Sequence, residues 1–369
     1  MRLPGLASRW NADGHGRRRP IPRAATLAGV AGTLLLGPAA LTAQNTADEI
    51  DASGTNVLRI EKEDKLLVPL ERAEEVWEFL HGWLVEDVEA LRSLDPALTS
   101  TWSEEQFYDT YFDTPELTVL AREDGVRVRQ RFNLTNPDDR KSGRALVQIK
   151  VSGISDDPLE RAEYKYEVAD PMDLSLPLLD IVRRSQRDQL RARLVGLELD
   201  PDAMRPILTI EDLRRRIYLT SGRTPFLSVS HDQVTVRKMW ATIRFVEIEP
   251  ELNEISYTEA DSATRAYMAG IGKRISDAIL ERFPDVERNL TPKYAKAFGA
   301  LAGRIPALRT LVRYGLHDRD GVAAIGVIGL GLIAVVGVAT VRGYRGWREA
   351  REPTVRSAPD VSAEAASGR

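Results

Sequence analysis

The chain has no cysteine among its 369 residues, which removes disulfides, thiolate metal sites and a cysteine nucleophile together. Histidine is almost as scarce. His15, His81, His231 and His317 are scattered along the chain and do not compose a histidine-rich zinc site. Any metal is left to carboxylates, the ligands that suit Mg²⁺, Mn²⁺ or Ca²⁺. An excess of one charge is missing as well: Lys and Arg number 51, Asp and Glu 55, and a net charge of −4 carries no general attraction to nucleic acid. The length allows one large or two ordinary domains.

Long uncharged runs are also few, and two of them bracket the rest. Arg17, Arg18, Arg19 and Arg23 precede an apolar stretch from Ala24 to Leu41 that ends on small residues at Ala43. This is the layout of a signal peptide, or of an uncleaved N-terminal anchor, over 1–43; either exports the downstream chain. The second run, "GVAAIGVIGLGLIAVVGVATV" at 321–341, holds about 20 uncharged residues, enough to cross a bilayer as a helix. Arg342, Arg345, Arg348 and Arg351 come after it and predict a cytoplasmic C-terminus. The expected order is a linker over 44–56, a folded domain over 57–300 and a juxtamembrane segment over 301–320. The transmembrane helix comes next, then a basic and disordered tail over 342–369. That places the domain outside the cytoplasmic membrane, periplasmic or on the cell surface, with the lipid bilayer as a partner.

Between the anchors, apolar spacing predicts helices over 71–93, 174–194 and 262–283. The strands are more informative, because charges alternate along them with apolar residues. "RIEKEDKLLV" sets Glu61, Glu63 and Lys65 on one face. "GVRVRQRF" sets Arg127, Arg129 and Arg131 opposite Val126 and Val128. "ALVQIKV" carries Lys150, and "ERAEYKYEV" carries Arg161, Glu163 and Lys165 against Ala162, Tyr164 and Tyr166. "EDLRRRIYL" offers Arg214 and Arg216, "LSVSHDQVTV" Asp232, and "RFVEIEPEL" Glu247, Glu249 and Glu251.

One such strand is the wet face of an ordinary sheet. Here the pattern recurs in strand after strand, and two strands carry one sign alone: Arg127, Arg129 and Arg131 are all basic, and Glu247, Glu249 and Glu251 all acidic. Like charges side by side repel, so a surface has no reason to sort them. Closing the sheet with its charged faces inward gives a reason. The expected fold is α+β: an antiparallel closed β-barrel of about eight strands, a tunnel, with helices over its apolar outside. Dry burial of so many ions is prohibitive, so the lumen is wet or filled by a ligand that balances it. Arginine and lysine suit a polyanion and paired glutamates suit a divalent cation; a metal–polyphosphate complex supplies both. No acidic residue lies between Arg127 and Arg129 along the strand, so the two are expected to repel each other until an anion arrives.

The residues also resemble a family. Glu61-x-Glu63-x-Lys65 is similar to the ExExK signature that opens the CYTH domain of the triphosphate tunnel metalloenzymes. "YDTYFDTPELTVLAREDGVRVRQR" resembles that family's "YFDTP…RVR" region. In order, Lys150, Arg161 with Glu163, Arg214 with Arg216, Asp232, Glu247 with Glu249, and Lys293 in "TPKYAKAF" resemble its later motifs. The likeness covers about two-thirds of the chain. The polyphosphate-polymerising VTC domains resemble the same fold.

The resemblance implies a triphosphatase or related hydrolase of phosphoanhydrides, dependent on Mg²⁺ or Mn²⁺ and acting on a triphosphate or polyphosphate-type anion. It implies that Glu61, Glu63, Asp232, Glu247 and Glu249 hold metal. Lys65, Arg127, Arg129 and Lys150, with Arg161, Arg214, Arg216 and Lys293, would grip phosphate. Glu163 and Lys65 would serve catalysis. A polymerase-like transferase and a non-catalytic polyanion receptor are the alternatives, and no nucleic-acid partner is expected.

Overall fold

The structure, a computed structural model, describes residues 58–317 except 140, 141 and 223. The expected leader, linker, apolar run at 321–341 and tail lie outside the described residues. Among the described residues, no helix is long and apolar enough to cross a membrane.

The domain is α+β and is built on one curled antiparallel sheet. Its strands are β1 (Arg59–Lys62), β2 (Leu66–Val68), β3 (Leu98–Asp113), β4 (Gly125–Asn133) and β5 (Ala145–Val151), then β6 (Glu160–Glu167), β7 (Arg205–Ser221), β8 (Thr224–Lys238), β9 (Ala241–Leu252) and β10 (Glu287–Arg288). Their order across the sheet is β1-β6-β5-β4-β3-β7-β8-β9-β2-β10. The expected count of about eight becomes ten in part because one stretch contributes twice: β1 and β2 are the two halves of residues 59–68. The first half pairs with β6 and the second with β9. The change of partner falls between two neighbours. The Glu63 amide donates to the Leu159 carbonyl at 3.1 Å, while the Asp64 amide donates to the Pro250 carbonyl at 3.0 Å. One segment is thus bonded to both ends of the curled sheet.

Two short helices, α3 (Thr118–Ala121) and α6 (Glu254–Glu259), follow β3 and β9. Alternation decides what each face meets. The apolar outer residues of β7, β8 and β9, such as Ile217, Val229 and Ile248, pack under α1 (Ala73–His81), α2 (Val88–Leu94) and α7 (Ser262–Arg282). Val126, Val128, Ile149 and Tyr166 of the opposite wall pack under α4 (Leu178–Ile181) and α5 (Arg187–Gly196). The inner face of β8 and β9 changes character along its length. Asp232, Glu247 and Glu249 give way to Val234, Val236, Ile243 and Phe245, which join the core around Phe298 of α8 (Lys293–Ala302).

Two expected helices are broken. The helix over 71–93 is interrupted by a π turn at Gly82–Glu86, and Asp87 leaves helical geometry to cap α2, accepting from the Ala90 amide at 2.9 Å. The stretch over 174–194 is split into α4 and a second helical piece, a 3-10 turn at Arg184–Gln186 that runs into α5, because Val182 between them is extended and bridges Val168. Tertiary pairing there overrides local spacing. The third expectation holds as α7, capped by Asp261, with Met268, Ile271, Ile275 and Ile279 on its buried stripe and Tyr267 half exposed.

Candidate metal and polyanion site

The inner faces line one cavity, open to solvent, that runs along β4 from Gly125 past Arg127 and Arg129 to Arg131. Across it stand three carboxylates: Glu61 from β1, Glu63 just after it, and Glu251 from β9. Glu63 pairs with Glu251 as an antiparallel bridge. The three offer ligand oxygens within 4.8 Å of one another. All three donors are hard oxygens, and Glu61 Oε2 is buried with no hydrogen-bond partner. Such a set fits a divalent cation of the Mg²⁺ or Mn²⁺ kind.

Electrostatics supports the fit. Burial, then the neighbouring Glu63, push the Glu61 carboxyl up to about 7, although Lys150 pulls the other way. Burial also acts to raise Glu63, but Lys65 and Lys150 outweigh it and hold Glu63 down at about 2. Lys65 Nζ lies 2.6 Å from Glu63 Oε1, and Lys150 is hydrogen-bonded to Glu61. Glu61 is therefore poised between its protonated and ionised forms near neutral pH, and a bound cation would compete with that proton.

Behind this trio lies a second charged layer that is already balanced. Glu249 is 2.7 Å from Lys65 Nζ, 2.8 Å from Lys293 Nζ and 2.9 Å from Arg214 Nη2. Asp232 accepts from Arg214 Nε at 2.6 Å and also from Lys293. Glu247 is taken by Lys296, with Lys293 3.6 Å away. Asp212 sits at full burial with its nearest cations at 3.7 and 3.8 Å. Burial, and then Asp232, raise its carboxyl to about 7.

The third element is the arginine row. Asp109 of β3 faces it and holds both neighbours, accepting from Arg129 Nε at 2.7 Å and from Arg127 Nη1 at 3.1 Å. The expected mutual repulsion of Arg127 and Arg129 is thereby corrected: their neutralising partner comes from the adjacent strand. Arg127 also donates to Gln148 at 2.9 Å, and the Arg129 guanidinium lies 4.4 Å from the centre of the Phe107 ring. Arg131 is held by Glu105 at 2.5 Å. Arg161 donates to the Glu123 carbonyl at 2.8 Å, and Arg216 to the Ser230 hydroxyl at 2.9 Å, 3.5 Å from Glu251. Glu163 is 3.0 Å from Lys165, which is bonded to Glu254 at 2.7 Å.

Most of the expected residues meet in this one place. Lys65, Arg127, Arg129, Lys150, Arg161 and Glu163 all line the cavity, as do Glu61, Glu63, Arg214, Arg216, Glu249 and Lys293. Asp232 and Glu247 lie behind the wall, paired with cations, apart from the Glu61–Glu63–Glu251 trio. Sequence reasoning did not single out Glu251 for the acidic trio, nor Asp109, Glu105 and Glu254. The last member of the "VEIEPE" alternation carries the signal for Glu251. Asp109 shares its period of two with Glu105, Phe107 and Tyr111 in "EEQFYDTY".

A curled antiparallel sheet with its charges inside and helices outside defines a class, and the comparisons name it. The profile of the CYTH domain matches residues 84–264, and the chain is a CYTH-domain protein. That match begins after Glu61, Glu63 and Lys65 and ends before Lys293, so their place on the same cavity comes from the structure alone. Solved structures of low identity are similar. One is a putative adenylate cyclase from Bacillus halodurans, 14% identical over 65% of this chain and 98% of that one, with TM-score 0.41. Another is the putative adenylyl cyclase HpAC1 from Hippeastrum, described as having a dominant triphosphatase activity, 15% identical over 68% and 98%, with TM-score 0.36. A third is the Pct1 RNA triphosphatase of S. pombe, 14% identical over 62% and 83%, with TM-score 0.27. No curated protein matches the chain significantly.

Proposed function

We propose that the protein is a metal-dependent phosphoanhydride hydrolase that works on an inorganic or organic triphosphate inside a β-tunnel, anchored to the cytoplasmic membrane with its domain outside. The observation that carries the chemistry is the acidic Glu61–Glu63–Glu251 trio facing a row of cations in one cavity. The anchoring and the export rest on the two apolar runs of the sequence.

Glu61, Glu63 and Glu251 would hold Mg²⁺ or Mn²⁺, which when bound supplies charge neutralisation at a phosphoryl oxygen. Arg127, Arg129, Lys150 and Arg161 grip the remaining phosphate oxygens, with Arg216 on the far wall. Asp109 fixes the two guanidiniums before substrate arrives, so little reorganisation remains at the moment of reaction. Lys65, Arg214 and Lys293 are committed to Glu249 and Asp232; they support the wall electrostatically and hold the Glu63 strand in place. Glu163 is kept ionised by Lys165 and Lys150 against its burial. It orients the attacking water by accepting its hydrogen bond. A phosphoryl transfer asks for this division of labour, since positioning and charge neutralisation do most of the work.

The test is phosphate release by the detergent-solubilised full chain from triphosphate, long polyphosphate and nucleoside triphosphates, with Mg²⁺ or Mn²⁺ and with chelator. Release that needs metal is the expected result. Lengthened polyphosphate products would replace hydrolysis by transfer, and tight anion binding without turnover would make the domain a receptor.

A further inference from the structure

The two most exposed large hydrophobic side chains of the described residues are Tyr314, 69% exposed, and Trp240, 65% exposed. They stand at the same end of the domain. Trp240 is in the turn between β8 and β9. Tyr314 comes directly after α9 (Leu308–Arg313), the last described helix. Three contacts tie these elements together. Arg304, between α8 and α9, donates to the Thr242 carbonyl at 3.1 Å. His317 Nε2 meets the Pro206 carbonyl at 3.1 Å at the start of β7. Ile210 pairs with Val236, which carries Pro206 toward the Trp240 turn across the β7–β8 pair.

Among the described residues this end is rich in cations: from Asn289 to His317 there is no carboxylate, and Arg304, Arg309 and Arg313 are exposed, while Asp318 and Asp320 follow in the sequence before the uncharged run. The nearby Glu211 is taken by Arg237 at 2.6 Å. Four residues after His317 the uncharged run at 321–341 begins. Four residues reach at most about 14 Å. If that run spans a bilayer, this end of the domain is held against the lipid surface. The far rim, by Tyr218 and Glu254, lies at the other end of β7, a strand up to about 55 Å long.

The geometry points to a bilayer-facing surface made by the β8–β9 turn and the α8–α9 segment, with Trp240 and Tyr314 at headgroup level and the three arginines on anionic lipid headgroups. It rests on the proposed anchoring. Tryptophan and tyrosine suit this position because each has an apolar ring and a polar edge, and the headgroup layer offers both environments. Exposed arginines near an anionic leaflet each add to the attraction. The consequence is orientation: the Tyr218–Glu254 rim of the cavity points away from the membrane, toward solvent-borne substrate.

The test uses the full chain in vesicles of phosphatidylcholine and phosphatidylglycerol with brominated acyl chains, which quench indole fluorescence on contact. The chain has six tryptophans, so the difference between wild type and Trp240→Phe isolates the one in question. Quenching is expected to fall in Trp240→Phe, and to return when Tyr314→Trp is added to that variant. Adding Tyr267→Trp instead should not restore it. Tyr267 is 45% exposed and lies beside Phe226, near the opposite end of β8. Equal quenching of wild type and Trp240→Phe in a chain that floats with the vesicles would overturn the surface while leaving the anchor standing. Restoration by Tyr267→Trp would overturn the orientation, and with it the surface. A chain that does not float overturns the anchoring, and this surface falls with it.

Discussion

Glu63 pairs with Glu251 at the point where residues 59–68 pass from one end of the curled sheet to the other. Sheet geometry and acidic site therefore share a residue pair. Two carboxylates facing each other across a bridge repel, and the repulsion is tolerable only with a proton, the flanking lysines or a cation between them.

That pairing makes Glu251 a better candidate ligand than Glu247. Glu63→Gln and Glu251→Gln should each cut metal-dependent phosphate release by at least about 100-fold and weaken Mn²⁺ binding measured by calorimetry. Glu247→Gln should instead leave Mn²⁺ bound and lower the melting point. It strands Lys296 and part of Lys293 in the wall, at a cost of about 3–5 kcal/mol. The reverse assignment of phenotypes would move the metal to the deeper layer.

Asp109 separates gripping from pairing. Asp109→Asn leaves two buried guanidiniums without their shared partner, so the unliganded protein should lose up to about 3–5 kcal/mol. Triphosphate should then recover part of that loss, because the anion takes the place of the carboxylate. Arg129→Ala should lower the unliganded melting point too, the opposite of what mutual repulsion of the arginines would give. Thermal melts with and without triphosphate decide; a raised melting point in Arg129→Ala would show that Asp109 does not balance the pair.

Metal binding should depend on pH through Glu61. Its carboxyl, raised to about 7, must lose its proton to become a ligand. Below that value Mn²⁺ affinity should fall by about tenfold per pH unit, since one proton is released for each metal bound. A flat affinity between pH 5.5 and 7.5, taken as rough bounds around Glu61, would show that Glu61 is not displaced from its proton by the metal.

His231 makes a prediction about folding rather than the site. It is buried on the outer side of β8, and its Nε2 meets the Ala73 carbonyl at 2.8 Å. Burial first, then Arg215, push its imidazole down from 6.5 to about 4. Because the folded value is the lower one, the stability it contributes is complete above pH 6.5 and is lost as pH falls toward 4. The loss amounts to at most about 3 kcal/mol. Urea melts at several pH values should show this component in wild type and not in His231→Gln.

The alternation in "GVRVRQRF", "ERAEYKYE" and "RFVEIEPEL" determined which face of each strand is charged, because the side-chain period of a strand is two whatever its neighbours are. It also determined that the sorted faces had to meet a balancing ligand or each other, and Glu61, Glu63, Lys65 and Lys293 do meet in one cavity. What alternation leaves open is register. Glu247, Glu249 and Glu251 share a face, and only the pairing of β9 with residues 63–68 selects which of them joins Glu61 and Glu63. A shift of two residues keeps every face and changes every partner. The same holds for Asp109: its side of the strand is visible in the sequence, but its place between Arg127 and Arg129 comes from β3 pairing with β4 in one register. Local pattern sets orientation because it is a property of a single chain segment; partnership is a property of two, and only the tertiary structure supplies it.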